Sequence, residues 1–211
     1  MSNKKTAPFS HNDVQVIQQE SGYQGFFSLL RLTLRHKLFA GGWSKEITRE
    51  LFERGDAAAV LPYDPIRDEV ILIEQFRVGA YKAEQPWLLE VVAGIVEAGE
   101  SPAEVVRREA QEEAGLAIGA LVEASHYYSS PGGCSERITV FIGEVDASTA
   151  ADVAGLEEES EDIRVHRLPR VQAMQWLHEG KINNATSIIA LQWLALRRTQ
   201  VDDAKAIFYP I

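Results

Sequence analysis

The sequence predicts an α/β protein in which a mixed sheet is sandwiched with a few helices and preceded by a small antiparallel sheet. Three observations carry this expectation. Residues 13–53 show period-two alternation punctuated by turn residues, apolar strand-like runs interleave with one short helix from Gly55 onward, and two helical patterns close the chain.

In the first region, residues 13–20 (DVQVIQQE), 25–36 (GFFSLLRLTLRH) and 43–53 (WSKEITRELFE) read as three strands. Leu30, Leu32 and Leu34 alternate with Arg31, Thr33 and Arg35, so the second strand has one apolar face, and Gly41-Gly42 marks the turn before the third. A sheet this small has too little interior to stand alone. The domain boundary is expected after residue 54, with residues 55–211 forming the larger domain. There AAAVLPYD and EVILIEQFR flank an Asp64-Pro65 turn and read as a hairpin. PWLLEVVAGIVE reads as one further strand, which delivers Gly94 to the loop that follows. HYYSS, RITVFIGEVD and IRVHRL read as strands, and RVQAMQWLHEGK and NATSIIALQWLALRRTQ as helices.

The segment GIVEAGESPAEVVRREAQEEAGL, from Gly94 to Leu116, carries the chemistry. Ser101 is an N-cap, Pro102 suits the first helical position, Glu104 completes a capping box and Gly115 suits a left-handed helix end, so a helix spans about Pro102 to Ala114. Val106, Ala110 and Ala114 form its apolar stripe, while Glu109, Glu112 and Glu113 stand together on another face. Like charges at i, i+4 destabilise a helix by about 0.2–0.5 kcal/mol per pair. The cluster therefore calls for a cation or an arginine among the carboxylates, and an all-oxygen donor set selects a hard ion, Mg2+ before Mn2+.

Gly94, Glu100, Arg108, Glu109, Glu112, Glu113 and Gly115 fit the spacing G-x5-E-x7-R-E-U-x-E-E-x-G-U at every fixed position, with Ala110 standing where a bulkier aliphatic residue is usual. On these residues the chain resembles the Nudix hydrolases. The resemblance implies an α/β/α sandwich and metal-assisted hydrolysis of a pyrophosphate. It implies two or three Mg2+ ions, with Mn2+ possible, held by Glu109, Glu112 and Glu113 with the Ala93 carbonyl, Glu112 also counting among the catalytic groups. Pro131 falls fifteen residues past Leu116, where a proline marks the branch that hydrolyses ADP-ribose to AMP and ribose 5-phosphate. A Pro-Gly-Gly segment is also plain turn chemistry. In that branch this segment, with Gly132, is a substrate-binding loop, and positions matching Ser130 and Glu136 lie near the terminal ribose. The run Glu157-Glu158-Glu159-Ser160-Glu161-Asp162 stands where relatives carry a general base, which points to Glu159 with Glu161 in reserve. Tyr23-x-Gly25-Phe26-Phe27-Ser28 resembles the segment that packs an aromatic ring on adenine, supplied by the partner of a homodimer with an exchanged N-terminal sheet. Adjacent residues of a strand face opposite sides, so one of Phe26 and Phe27 is expected in the interior. Arg49 and Arg77 match phosphate-binding arginines, and guanidinium suits phosphate geometrically.

Composition narrows the alternatives. A formal charge of −10, from 21 basic and 31 acidic residues, argues against nonspecific nucleic-acid or membrane-surface partners. An anionic substrate must be met locally, by metal ions and a few arginines. The N-terminus lacks a signal-peptide core and no run has the length of a membrane helix, so a cytoplasmic protein is expected. Cys134 is the one cysteine, the five histidines have no metal-ligand spacing, and no G-x-S-x-G elbow is present. Two other readings stand beside ADP-ribose hydrolysis: a pyrophosphatase for another nucleoside diphosphate sugar such as GDP-mannose, and a non-catalytic nucleotide sensor. The sensor reading predicts a lost carboxylate in the motif, and none is lost.

Overall fold

The computed structural model describes residues 8–156 and 161–209. Contacts group the chain into two compact units, Met1–Gly55 with Ser129–Glu136, and Asp56–Tyr128 with Arg137–Ile211.

In the first unit, β1 (Val14–Gln24), β2 (Ser28–His36) and β3 (Ile47–Glu53) form an antiparallel sheet in the order β1-β2-β3. Leu30 pairs with Leu51 and Leu34 with Ile47, which extends the apolar row of β2 across to β3. The second strand starts later than the alternation predicts. Residues 25–27 form the turn between β1 and β2, closed by Gly25 N–H donating to the Phe27 carbonyl at 2.9 Å. Phe26 and Phe27 therefore lie on a turn, where period-two alternation does not govern them. The third strand also starts late, because Trp43 makes an isolated bridge to Lys37 and its ring takes the Lys37 and Arg35 cations at 4.5 and 5.1 Å. The Pro-Gly-Gly segment runs along β3: Phe52 N–H donates to the Gly133 carbonyl at 2.8 Å, and Ser135 N–H to the Phe52 carbonyl at 3.2 Å. Among its described residues this unit buries no apolar side chain, and Val16, Ile17, Tyr23, Phe26 and Phe39 are exposed.

The second unit is an eight-stranded mixed sheet. Its strands are β4 (Ala57–Asp64), β5 (Glu69–Phe76), β6 (Trp87–Glu90), β7 (Val92–Ile95), β8 (Leu121–Tyr128), β9 (Arg137–Glu144), β10 (Val153–Ala154) and β11 (Ile163–Pro169). The order is β10-β11-β5-β4-β9-β8, with β6 also paired to β5 and β7 to β4. β4 is the axis: it runs parallel to β9 and antiparallel to β5 and β7, and all its residues are buried, as a continuous apolar run predicts. Ala57, Ala59, Leu61 and Tyr63 turn to a core shared with Leu191, Leu194, Ile207 and Phe208. Ala58 and Val60 turn to the other, shared with Val105, Val106, Ala110 and Ala114. Helix α1 (Pro102–Ala114) thus covers one face, while α2 (Arg170–His178) and α3 (Ala185–Arg198) lie with the other, an α/β/α sandwich. The stretch 86–97, expected as one strand, is two: β6 pairs with β5 up to Glu90, and β7 pairs with β4 from Val92.

Helix α1 has the ends its sequence predicts. The Ser101 hydroxyl accepts from Glu104 N–H at 3.3 Å, the Glu104 carboxylate accepts from Ser101 N–H at 2.8 Å, and Gly115 adopts φ 67°, ψ 22°. Gly115→Ala is expected to cost about 1–2 kcal/mol, since a Cβ is disfavoured in the left-handed region, and Ser101→Ala about 1 kcal/mol through loss of the cap. Urea denaturation of the metal-free protein measures both; unchanged midpoints would show that the ends of α1 do not limit stability.

Candidate active site

The site is built where α1 crosses β7. Ala93 N–H donates to the Glu113 carboxylate at 3.2 Å. Beside it, any Cβ on Gly94 would collide with the Glu109 carboxylate and lie 2.6 Å from Glu109 Cγ. Only glycine lets Glu109 lie against this strand, which gives the first position of the motif a steric reason. Arg108 supplies the internal cation that the crowded carboxylates require. Its guanidinium pairs with Glu109 at 2.8 Å, Glu112 at 3.1 Å and Glu100 at 3.3 Å, so it also ties the preceding loop to the helix. The Glu100 hydrogen bond is the first cause holding this guanidinium above its ordinary pKa.

Burial sets the electrostatics. Glu113 is 3% exposed, and its pKa is pushed up to about 8, first by burial and then by the charge of Glu109, with Glu161 adding; Ala93 N–H and Arg77 oppose the shift. Glu109 is raised too, first by burial, against the pull of Arg108. Carboxylates held out of water beside one another are stabilised by a cation, and their donor atoms are all oxygen, so the residues fit a hard divalent ion. As they stand, no group of three or more His, Cys, Asp or Glu among the described residues converges on one ion position. Arg108 engages Glu109 and Glu112, and the Ala93 amide engages Glu113.

The second unit also brings Arg77 and Glu161 to this group. Arg77, just past β5, pairs with Glu90 at 2.6 Å, and its charge reaches Glu113. Glu161 accepts from Leu156 N–H at 3.4 Å, and its charge is felt by both Glu109 and Glu113. Glu159 lies outside the described residues.

The remaining sequence-predicted residues belong to the first unit. Phe26 is 87% exposed and meets Phe27 edge-on at 4.7 Å, while half-buried Phe27 packs on Phe52 at 5.3 Å. The expectation that strand alternation would bury one of the pair does not apply on this turn, and the difference between them comes from Phe52 and Arg54. The Arg54 guanidinium stands 5.0 Å from the Phe27 ring and pairs with buried Glu136 at 3.1 Å, a link that sequence reading missed because nothing local singles out Arg54. The Ser130 carbonyl accepts from Gly133 and Cys134 N–H at 3.2 and 2.9 Å, and a Cβ on Gly132 would meet open space. Arg49 is exposed on β3 and donates to the Thr48 carbonyl at 2.8 Å.

The chain is similar to known proteins over most of its length. A model described as the NUDIX domain matches residues 53–192. An ADP-ribose pyrophosphatase of Escherichia coli (strain K12) is 57% identical over 189 residues, covering 89% of this chain and 90% of that protein. One of Haemophilus influenzae is 49% identical over 200 residues, covering 93% and 92%. A GDP-mannose pyrophosphatase of Pectobacterium atrosepticum is 35% identical over 186 residues, covering 87% and 95%. In fold, the chain is similar to the crystal structure of an ADP compounds hydrolase, with a TM-score of 0.69 at 21% identity over 91% of this chain and 97% of that one. With the motif complete and its carboxylates gathered where α1 meets β7, the match over residues 53–192 places this chain in the Nudix family.

Proposed function

We propose that this chain hydrolyses ADP-ribose to AMP and ribose 5-phosphate. The observation that carries the reading is the buried Glu113, set beside Glu109 against the backbone of Ala93 and Gly94 at a cost that a retained proton offsets in the metal-free protein and a bound cation offsets in the ionised one. Relatives at 57% and 49% identity bear the name ADP-ribose pyrophosphatase. Glu109, Glu112 and Glu113, with the Ala93 carbonyl, would hold two or three Mg2+ ions, or Mn2+, which when bound supply charge neutralisation at the diphosphate and acidify water. Arg77 and Arg49 bind diphosphate oxygens, and Phe26 or Phe27 offers a stacking surface for adenine. Ser130 and Glu136 meet the terminal ribose, and Gly132 belongs to the same substrate-binding loop. Glu159, with Glu161 in reserve, takes the proton as water attacks phosphorus, and the bridging P–O bond breaks. The described residues contain no helix long and apolar enough to cross a membrane, and we place the protein in the cytoplasm, acting on small molecules rather than nucleic acid. A second reading, GDP-mannose hydrolysis, is favoured by relatives of that name at 35–39% identity.

The test is a hydrolysis panel of ADP-ribose, GDP-mannose, NADH, CoA and diadenosine polyphosphates with Mg2+. ADP-ribose is expected to be turned over fastest; faster GDP-mannose turnover would replace the reading by the second one. Glu113→Gln is expected to lose most activity yet to stabilise the metal-free protein at alkaline pH. The sign follows from linkage. Glu113 keeps its proton in the folded state up to about pH 8 but loses it near 4.5 when unfolded, so parental stability falls as pH rises across that window. The glutamine variant should lack this fall, and thermal melts of both proteins in EDTA from pH 5 to 9 decide it. Glu159→Gln should lower kcat by about 10²–10⁴-fold; an intact Glu159→Gln with a crippled Glu161→Gln moves the base two residues along.

We further propose a homodimer in which the N-terminal sheet, residues 13–53, completes the partner's active site. The sheet has exposed apolar side chains and no buried ones among its described residues, and exchange of an identical element forms a closed two-fold assembly at low cost. Light scattering should report a dimer, and mixing inactive Arg49→Ala and Glu113→Gln subunits should restore activity. An active monomer overturns the proposal.

A further inference from the structure

The side chains of β5 that face α1 form one row. Ile71 and Ile73 pack in the core that holds Val105, Val106 and Ala110; Gln75 is next on that face, and Arg77 follows it. On the antiparallel neighbour β6, Glu90 stands opposite Ile73 and Leu88 opposite Gln75. Opposed residues of such a pair point to the same face. Arg77 nevertheless reaches Glu90 at 2.6 Å, from two positions beyond Gln75 to a partner two positions before it. The ion pair therefore spans the row that Gln75 occupies. Gln75 is 6% exposed, and its amide Nε2 has no hydrogen-bond partner among the described residues.

A buried amide donor with no acceptor is unfavourable in the protein by itself, and its retention points to a ligand that supplies the acceptor. The place narrows the ligand. Gln75 lies between Ile73, which packs with α1, and Arg77, whose charge reaches Glu113, so it stands on the α1 side of β5 next to the arginine nearest the carboxylate site. A neutral donor there attracts an anionic oxygen without drawing in the surrounding carboxylates as a second cation would. Resting on the reading above, we propose that Gln75 is a substrate-binding residue: when Arg77 turns from Glu90 to the diphosphate of a nucleoside diphosphate sugar, the Gln75 amide it covered donates to a diphosphate oxygen. Glu90 is then the resting partner of Arg77 and closes the row until substrate arrives.

The experiment is Gln75→Leu, which keeps the volume and removes the donor. Without ligand its melting temperature should equal or exceed that of the parent, because an unpartnered buried donor has been removed. With Mg2+ its KM for ADP-ribose should rise about tenfold or more, with a smaller change in kcat, as loss of a ground-state binding contact requires. Gln75→Met carries the same expectation and stands in if the leucine variant does not fold. An unchanged KM overturns the proposal, and so does a lowered melting temperature in both variants, which would give Gln75 a structural partner. If the parent spares ADP-ribose and cleaves another nucleoside diphosphate sugar, the functional reading fails while this test runs unchanged on that substrate, because the diphosphate is common to both.

Discussion

The close approach of a helix to a strand is the constraint on which this site depends. Glu109 lies where a side chain on residue 94 would otherwise stand, and Glu113 reaches the amide of residue 93. Both contacts need α1 pressed against β7. The helix manages this because the residues beneath it are small: Ala110 and Ala114 of α1 meet Ala58 and Val60 of β4 in one core. Packing in such a core responds to single methylene groups, so the separation of the carboxylates is set by apolar side chains that never touch substrate.

β4 transmits that constraint to the rest of the second unit. It is buried on both faces, and its neighbours β5, β7 and β9 are held by its backbone while the helices are held by its side chains. The break at Val91 follows from this. Up to Glu90 the chain serves as partner of β5, and beyond it the chain crosses to pair with β4. That crossing lets Glu90 face Arg77 while the Ala93 amide and Gly94 meet Glu113 and Glu109 of α1. Asn184 helps to fix the bend, its side-chain amide donating to the Leu89 carbonyl at 2.8 Å, and Ser187 accepts from Val91 N–H at 3.0 Å.

What could be read in the sequence was what local chemistry determines. The ends of α1 depend on Ser101, Glu104 and Gly115, each acting within four residues, and the structure has them as read. The sandwich was legible because β4 is continuously apolar while α1 keeps a narrow apolar stripe. The break at Val91 was hidden because a change of strand partner is a long-range event that leaves no local mark. The turn at Phe26 and Phe27 was hidden for a different reason: an apolar pair preceding Leu29 and Leu30 looks like a strand beginning, and only the Gly25 to Phe27 hydrogen bond shows otherwise. Arg54, Glu90 and Gln75 carry no motif, and their significance comes from residues far away in the chain or from the lack of any partner.

The charge balance decides which arginine is free to act. A protein of net charge −10 must meet a diphosphate with few cations, and Arg77 and Arg108, the two arginines beside the site carboxylates that form ion pairs, are already paired. They are not paired equally. Arg108 is held by Glu100, Glu109 and Glu112 together, and its release would strand three carboxylates at once. Arg77 has Glu90 alone among the described residues and is partly exposed, so fewer contacts hold it than hold Arg108. A bidentate contact to phosphate offers a guanidinium two charge-assisted hydrogen bonds, against the one that Arg77 makes with Glu90. On the proposed reading, substrate takes Arg77 from Glu90 while Arg108 stays with the helix, and the arginine that moves is the one that follows Gln75 along the row of β5.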